Sequence, residues 1–177
     1  APFASIGTLQ TGDLVFVSPQ LDPAQPFDNA ILETGQATIQ WLQQQGVPVK
    51  SNVTSSHVAM AWRNASENGA LYFIQATPPK VVLTSAENFF RSAMPKTTRW
   101  WRGFLNSTGP PGRDRELGTD AADAALQQIG KPYASDFGPP PGQFYCSSLV
   151  VWAYRRAADP WSGEPRTRVL VPEPLQF

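Results

Sequence analysis

Between Pro132 and Gly142 the chain reads PYASDFGPPPG, a run too dense in proline and glycine to be helical, and the apolar face Leu149-Val150-Val151-Trp152 follows almost at once. An interior proline loses a hydrogen bond and clashes with the preceding turn, so no helix starts before about Gln143. The only cysteine, Cys146, therefore falls in the first turn of the last helix. The same punctuation runs through the whole sequence, with 18 prolines and 13 glycines in 177 residues and a hydrophobic fraction of 41%. This composition predicts a loop-rich α+β fold, in one domain over residues 1–177. A chain of this length buries roughly two-thirds of its unfolded surface and needs no disulfide to hold it.

Thr11-Gly12-Asp13 reads as a turn feeding a buried strand Leu14–Val17, with Asp13 capping backbone amides. Ile31, Leu32, Ile39 and Leu42 recur at helical spacing between Asp28, a candidate cap, and Gly46, a stop. His57–Trp62 and Leu71–Ala76 flank a turn and predict an antiparallel hairpin. Val81–Leu83 is a third short strand, and Thr84 with Glu87 has the spacing of a capping box. Thr98–Leu105 predicts a further strand, and a helix is expected from about Thr119 to Ile129, stopped by Gly130.

The 14 basic and 14 acidic side chains cancel, and no basic run exceeds Arg155-Arg156, so nucleic acid is not the expected partner. No stretch has the roughly 18 apolar residues of a membrane span. Three acceptor sequons, at Asn52, Asn64 and Asn106, predict a glycoprotein on a eukaryotic secretory route. Ala1-Pro2-Phe3 fits the end left when a signal peptide is removed, and equally a trimmed chain. One His and one Cys among scattered carboxylates have no metal-ligand spacing, and neither a phosphate loop nor a G-x-S-x-G elbow occurs. No cofactor is expected, and the chain is expected to be monomeric.

A lone cysteine in a secreted chain is buried, paired with another chain, or reactive. Cys146 has two features that lower a thiol pKa within its reach, a helix N-terminus and an imidazole. His57 is the only histidine, so any Cys–His pair uses it. Gln75 alternates onto the face opposite Ile74 and Ala76. It either satisfies a local hydrogen bond or accepts from the imidazole and fixes its tautomer.

The segments TGDLVFV, SSHVAMAW, YFIQATPPKVVL and GKPYASDFGPPPGQFYCSSLVVWAY resemble, in content and order, the circularly permuted papain-like cysteine hydrolases, the YiiX-like branch of the NlpC superfamily. The resemblance runs from Gly12 to about Arg156. It implies a small antiparallel sheet packed against helices, with the nucleophile at the start of the C-terminal helix. It also implies that Cys146 is the nucleophile, His57 the general base, Gln75 the orienting group and Tyr133 a cleft residue able to donate to an oxyanion. Two positions depart from the pattern: Gln75 stands where relatives often carry a glutamate, and Ser148 where they often carry an acid.

These readings define a secreted cysteine hydrolase of the peptidase or amidase type. It is expected to cleave an amide or ester bond through a Cys146 acyl-thioester, with a peptide or amide such as a cell-wall stem peptide as the favoured substrate. The alternatives are a lipid-directed thioesterase or acyltransferase on the same Cys–His site, or a silent binding module in which Gln75 cannot support catalysis.

Overall fold

The computed structural model describes residues 4–19, 24, 26–46, 55–93, 97–106, 112–158 and 169–176. Among the described residues, seven strands and four α-helices follow one another. They are β1 (Ala4–Ser5), β2 (Leu14–Pro19), α1 (Pro26–Gln44), β3 (His57–Asn64), β4 (Ala70–Thr77), β5 (Lys80–Ser85), α2 (Ala86–Ala93), β6 (Thr97–Asn106), α3 (Arg113–Leu126), α4 (Cys146–Ala158) and β7 (Val169–Gln176). The strands form one sheet in the order β1-β7-β6-β2-β3-β4-β5, antiparallel throughout except where the two residues of β1 run parallel to β7. The α+β expectation holds.

Both faces of the sheet are covered, which is why β2 reads as a continuous apolar run rather than an alternation. Leu14, Val58, Met60, Ile74 and Ala76 face one way and pack with Leu117, Ala121 and Ala125 of α3 and Leu149, Val150 and Ala153 of α4. Val15, Val17, Ala59, Ala61 and Phe73 face the other way, against Phe89 and Phe90 of α2 and Trp100 of β6. Phe73 stacks on Phe89 at 4.3 Å between ring centroids and meets Phe90 edge-on at 5.4 Å.

The predicted hairpin is β3–β4, with Met60 opposite Ile74 and Trp62 opposite Tyr72. Several boundaries move for identifiable reasons. α1 opens at Pro26, a residue suited to a first turn, so Asp28 lies inside the helix rather than ahead of it. α3 starts at Arg113, six residues before Thr119, behind Gly112 in the left-handed region at φ 89° and with Asp114 and Glu116 in its first turn. Its early turns carry little apolar patterning, and their acidic residues favour the helix start electrostatically. α2 is capped one residue away from the expected position: the Ser85 hydroxyl accepts from the Asn88 amide at 3.3 Å, while Thr84 stays in β5. β7 has no signal in the sequence, because Pro172 and Pro174 argue against a strand; it pairs with β6 through Pro172 opposite Gly103.

Candidate active site

The turn before β2 fixes one end of the site's frame. Gly12 adopts φ 90°, and a Cβ there would lie 2.4 Å from Gly118 Cα, so glycine lets α3 approach the turn. The Gly12 amide donates to Ala61 O at 2.9 Å, and Gly12 O accepts from the hydroxyl of Tyr154 on α4. Burial, reinforced by the charge of Asp13, raises the Tyr154 pKa, so the phenol stays a donor. Asp13 accepts from the Gln10 amide, as expected of a cap, and its buried carboxylate also receives Arg102 Nε at 2.9 Å and an Arg115 nitrogen at 3.2 Å.

The loop before α4 fixes the other end. The Tyr133 amide donates to Pro79 O at 2.9 Å, the Val81 amide to Lys131 O at 2.8 Å, and Phe144 N to Pro132 O at 3.1 Å. Tyr133 and Phe144 form an isolated parallel bridge, so Tyr133 lies beside the strand-like residue that leads into Cys146. Asp136 braces the loop by accepting from Gly138 N and Gln143 Nε2 at 3.0 and 2.9 Å.

These two anchors orient α4. Tyr154 is tied beside Ala61, late in β3, and the residues before Cys146 are tied beside Pro79, just past the end of β4. Continuing the β3–β4 register from Met60 opposite Ile74 brings Thr77 opposite His57. From Tyr154 back to Cys146 the helix covers about 12 Å, and from Ala61 back to His57 the strand covers about 13 Å. Cys146 and His57 therefore sit at the same end of the sheet, where β3 begins and β4 ends.

His57 and Gln75 project from the face opposite to the one that α4 packs on, beside Ala59 and Phe89. His57 Nε2 lies 2.7 Å from Gln75 Oε1. An amide oxygen only accepts, so Nε2 is the ring nitrogen that donates in this contact. The far end of the amide is held too, Gln75 Nε2 donating to Thr84 Oγ1 at 3.0 Å.

Cys146 is half-buried at the head of α4 and packs against the apolar cluster under the sheet. Ser148 secures this helix start: its hydroxyl accepts from Tyr145 N and donates to Tyr145 O, both at 2.9 Å. That is the task an acid performs at the third position of a capping box, so serine can stand there without the charge.

Of the sequons, Asn64 is described: its Oδ1 accepts from Ser66 N at 3.1 Å at the turn after β3. Asn52 lies outside the described residues, as do Ser107 and Thr108 beyond Asn106. Thr84 is the site-adjacent residue that sequence reasoning assigned to another task. With Gln75 opposite Val82, strand alternation puts Thr84 on the face of Gln75, a relation that only the β4–β5 register sets.

A cysteine heading a helix and a histidine heading a strand at one end of an antiparallel sheet is the layout of the papain-like class. Residues 8–168 match the model of the permuted papain-like amidase enzymes, YaeF/YiiX, C92 family, and the chain belongs to that family. Among solved structures it is similar to the crystal structure of metalloprotein yiiX from Escherichia coli O157:H7, with a TM-score of 0.55 and 20% identity. That match covers 84% of this chain and 66% of yiiX, just under two thirds of its length. Comparison with curated protein sequences gives no match. Although yiiX is named a metalloprotein, among the described residues of this chain no three His, Cys, Asp or Glu side chains group in a way that could hold a metal ion.

Proposed function

We propose that this papain-like amidase family member is an active cysteine hydrolase that cleaves an amide bond of a peptide-like substrate. The observation that carries the reading is the 2.7 Å contact from His57 Nε2 to Gln75 Oε1, which supports Nδ1 as the base at the end of the sheet where α4 begins. In this scheme the Cys146 thiol gives its proton to His57 Nδ1 and the sulfur attacks the carbonyl carbon. The oxyanion is received by the Cys146 backbone N–H at the head of α4 and by the Tyr133 hydroxyl. The imidazolium then protonates the leaving nitrogen as the C–N bond breaks, and Gln75 holds the ring through both transfers. Water, deprotonated by His57, hydrolyses the thioester and returns the thiol. Gln75 supplies an acceptor without a negative charge, so it orients the ring but stabilises the imidazolium less than a carboxylate does. Secretory export with glycans on the sequons belongs to the same proposal, and a mobility shift on enzymatic deglycosylation tests it.

The test is the rate of Cys146 alkylation by iodoacetamide against pH, read by mass spectrometry, in the wild type and in His57→Ala. Rapid labelling at pH ~6, well below the ordinary thiol pKa of about 8.5, that is lost in the variant supports a coupled pair. Labelling only after unfolding overturns the enzyme reading and leaves a binding module on the same scaffold.

A further inference from the structure

We propose that Thr84 is a positioning residue of this site, the outer member of a hydrogen-bonded line Thr84–Gln75–His57 that carries no formal charge. The inference rests on the hydrolase reading for its importance, but on geometry for its existence. Gln75 Oε1 lies 2.7 Å from the imidazole Nε2, and Gln75 Nε2 donates to Thr84 Oγ1 at 3.0 Å. The three side chains come from three successive strands and share one face of the sheet, with Gln75 opposite Val82 and Phe73 opposite Thr84.

A carboxylate in this position is drawn to an imidazolium by charge as well as by its hydrogen bond. Gln75 has no such attraction, and its side chain has three rotatable bonds before the amide. Its aim therefore depends on a second fixed partner, which Thr84 supplies. Threonine suits this role, because branching at Cβ restricts χ1 and fixes the hydroxyl relative to the strand. The same residue had the spacing of a helix cap, yet Ser85 carries out that task, which leaves the Thr84 hydroxyl available to Gln75.

Substituting Thr84→Val keeps the shape and the β-branch but removes the acceptor. The half-buried Gln75 NH2 then loses its partner, and the side chain leaves the imidazole for part of the time. His57 is the only histidine, so its ring N–H gives a single, unambiguous proton resonance. In the wild type that proton is held by Gln75 and exchanges slowly with water. In Thr84→Val its exchange is expected to accelerate about tenfold and Cys146 alkylation to slow about five- to tenfold, from the worth of one hydrogen bond. Thr84→Ser should behave as the wild type, and Thr84→Ala, with neither branch nor hydroxyl, as Thr84→Val.

The inference is overturned if the ring proton remains as protected in Thr84→Val and Thr84→Ala as in the wild type. An exchange rate that responds to Thr84 while wild-type Cys146 proves inert upholds the positioning line and rejects the hydrolase reading. The two failures are thereby distinct.

Discussion

His57 Nε2 and Gln75 Oε1 are 2.7 Å apart across the β3–β4 hairpin, so the side chain that orients the imidazole is neutral. Gln75→Ala should leave the fold intact and slow both Cys146 alkylation and substrate turnover about 10- to 100-fold, the worth of a hydrogen bond to a group that becomes charged. Gln75→Glu should move the titration of His57 to higher pH, because the added carboxylate favours the imidazolium. NMR titration of the single histidine measures it. An unmoved titration would place the glutamate away from the ring.

Tyr154 joins the start of β2 to α4, and its phenol is buried, which raises its pKa above the usual value of about 10. A raised folded-state pKa means that the contribution is complete below pH ~10 and is lost as pH rises beyond it, since the unfolded chain ionises first. Tyr154→Phe should therefore cost about 1 kcal/mol at neutral pH and make stability fall less steeply in alkali. Urea unfolding at pH 7 and at pH ~10.5 distinguishes these terms. An equal loss at both values would mean that the phenol is not protected by burial.

Local patterning made the sheet's inner strands and the start of α4 legible, because β3 and β4 carry short apolar runs on either side of a turn and the proline-rich run stops abruptly before Leu149. Gln75 was legible through the family resemblance more than through spacing. Long-range geometry was not legible. Nothing local relates Thr84 to Gln75, because their contact depends on the β4–β5 register. Nor does any local signal tell that Tyr154 reaches Gly12, which is what aligns α4 with β3. β7 escaped because its prolines oppose strand propensity, and pairing along β6 outweighs them. Ser148 looked like a departure from the family pattern until the helix start was visible.

Ser148 connects helix capping to the position of the sulfur. Its hydroxyl holds Tyr145 at both N and O, immediately before Cys146. Ser148→Ala should destabilise the protein by about 1 kcal/mol, as loss of a capping hydrogen bond does, and should slow alkylation by iodoacetamide as the first turn frays. Ser148→Asp keeps an acceptor for the Tyr145 amide and should retain most of the reactivity. Parallel thermal melts and alkylation rates test this, and an unaltered rate in Ser148→Ala would show that the turn is held by other contacts.

Asp13 and Arg102 form a buried ion pair, with 3% and 9% of their surfaces exposed. The pair ties β2 to β6 beneath the Gly12 turn, and Arg102 also lies over the Phe104 ring with its guanidinium carbon 4.8 Å from the centroid. Two ions taken out of water are costly, and their attraction offsets that cost only while both remain. Removing Asp13 takes away the buried carboxylate that both Arg102 and Arg115 face, so Asp13→Ala should destabilise by about 3–5 kcal/mol. Asp13→Leu combined with Arg102→Met should lose less than the sum of the single changes, because neither member of the buried pair is left facing an apolar replacement, while the half-exposed Arg115 can turn to water. Urea denaturation of the two single variants and the double variant provides the cycle. Additive losses would mean that each residue acts through separate contacts and that the Gly12 turn is held by other bonds, such as that of the Gly12 amide to Ala61 O.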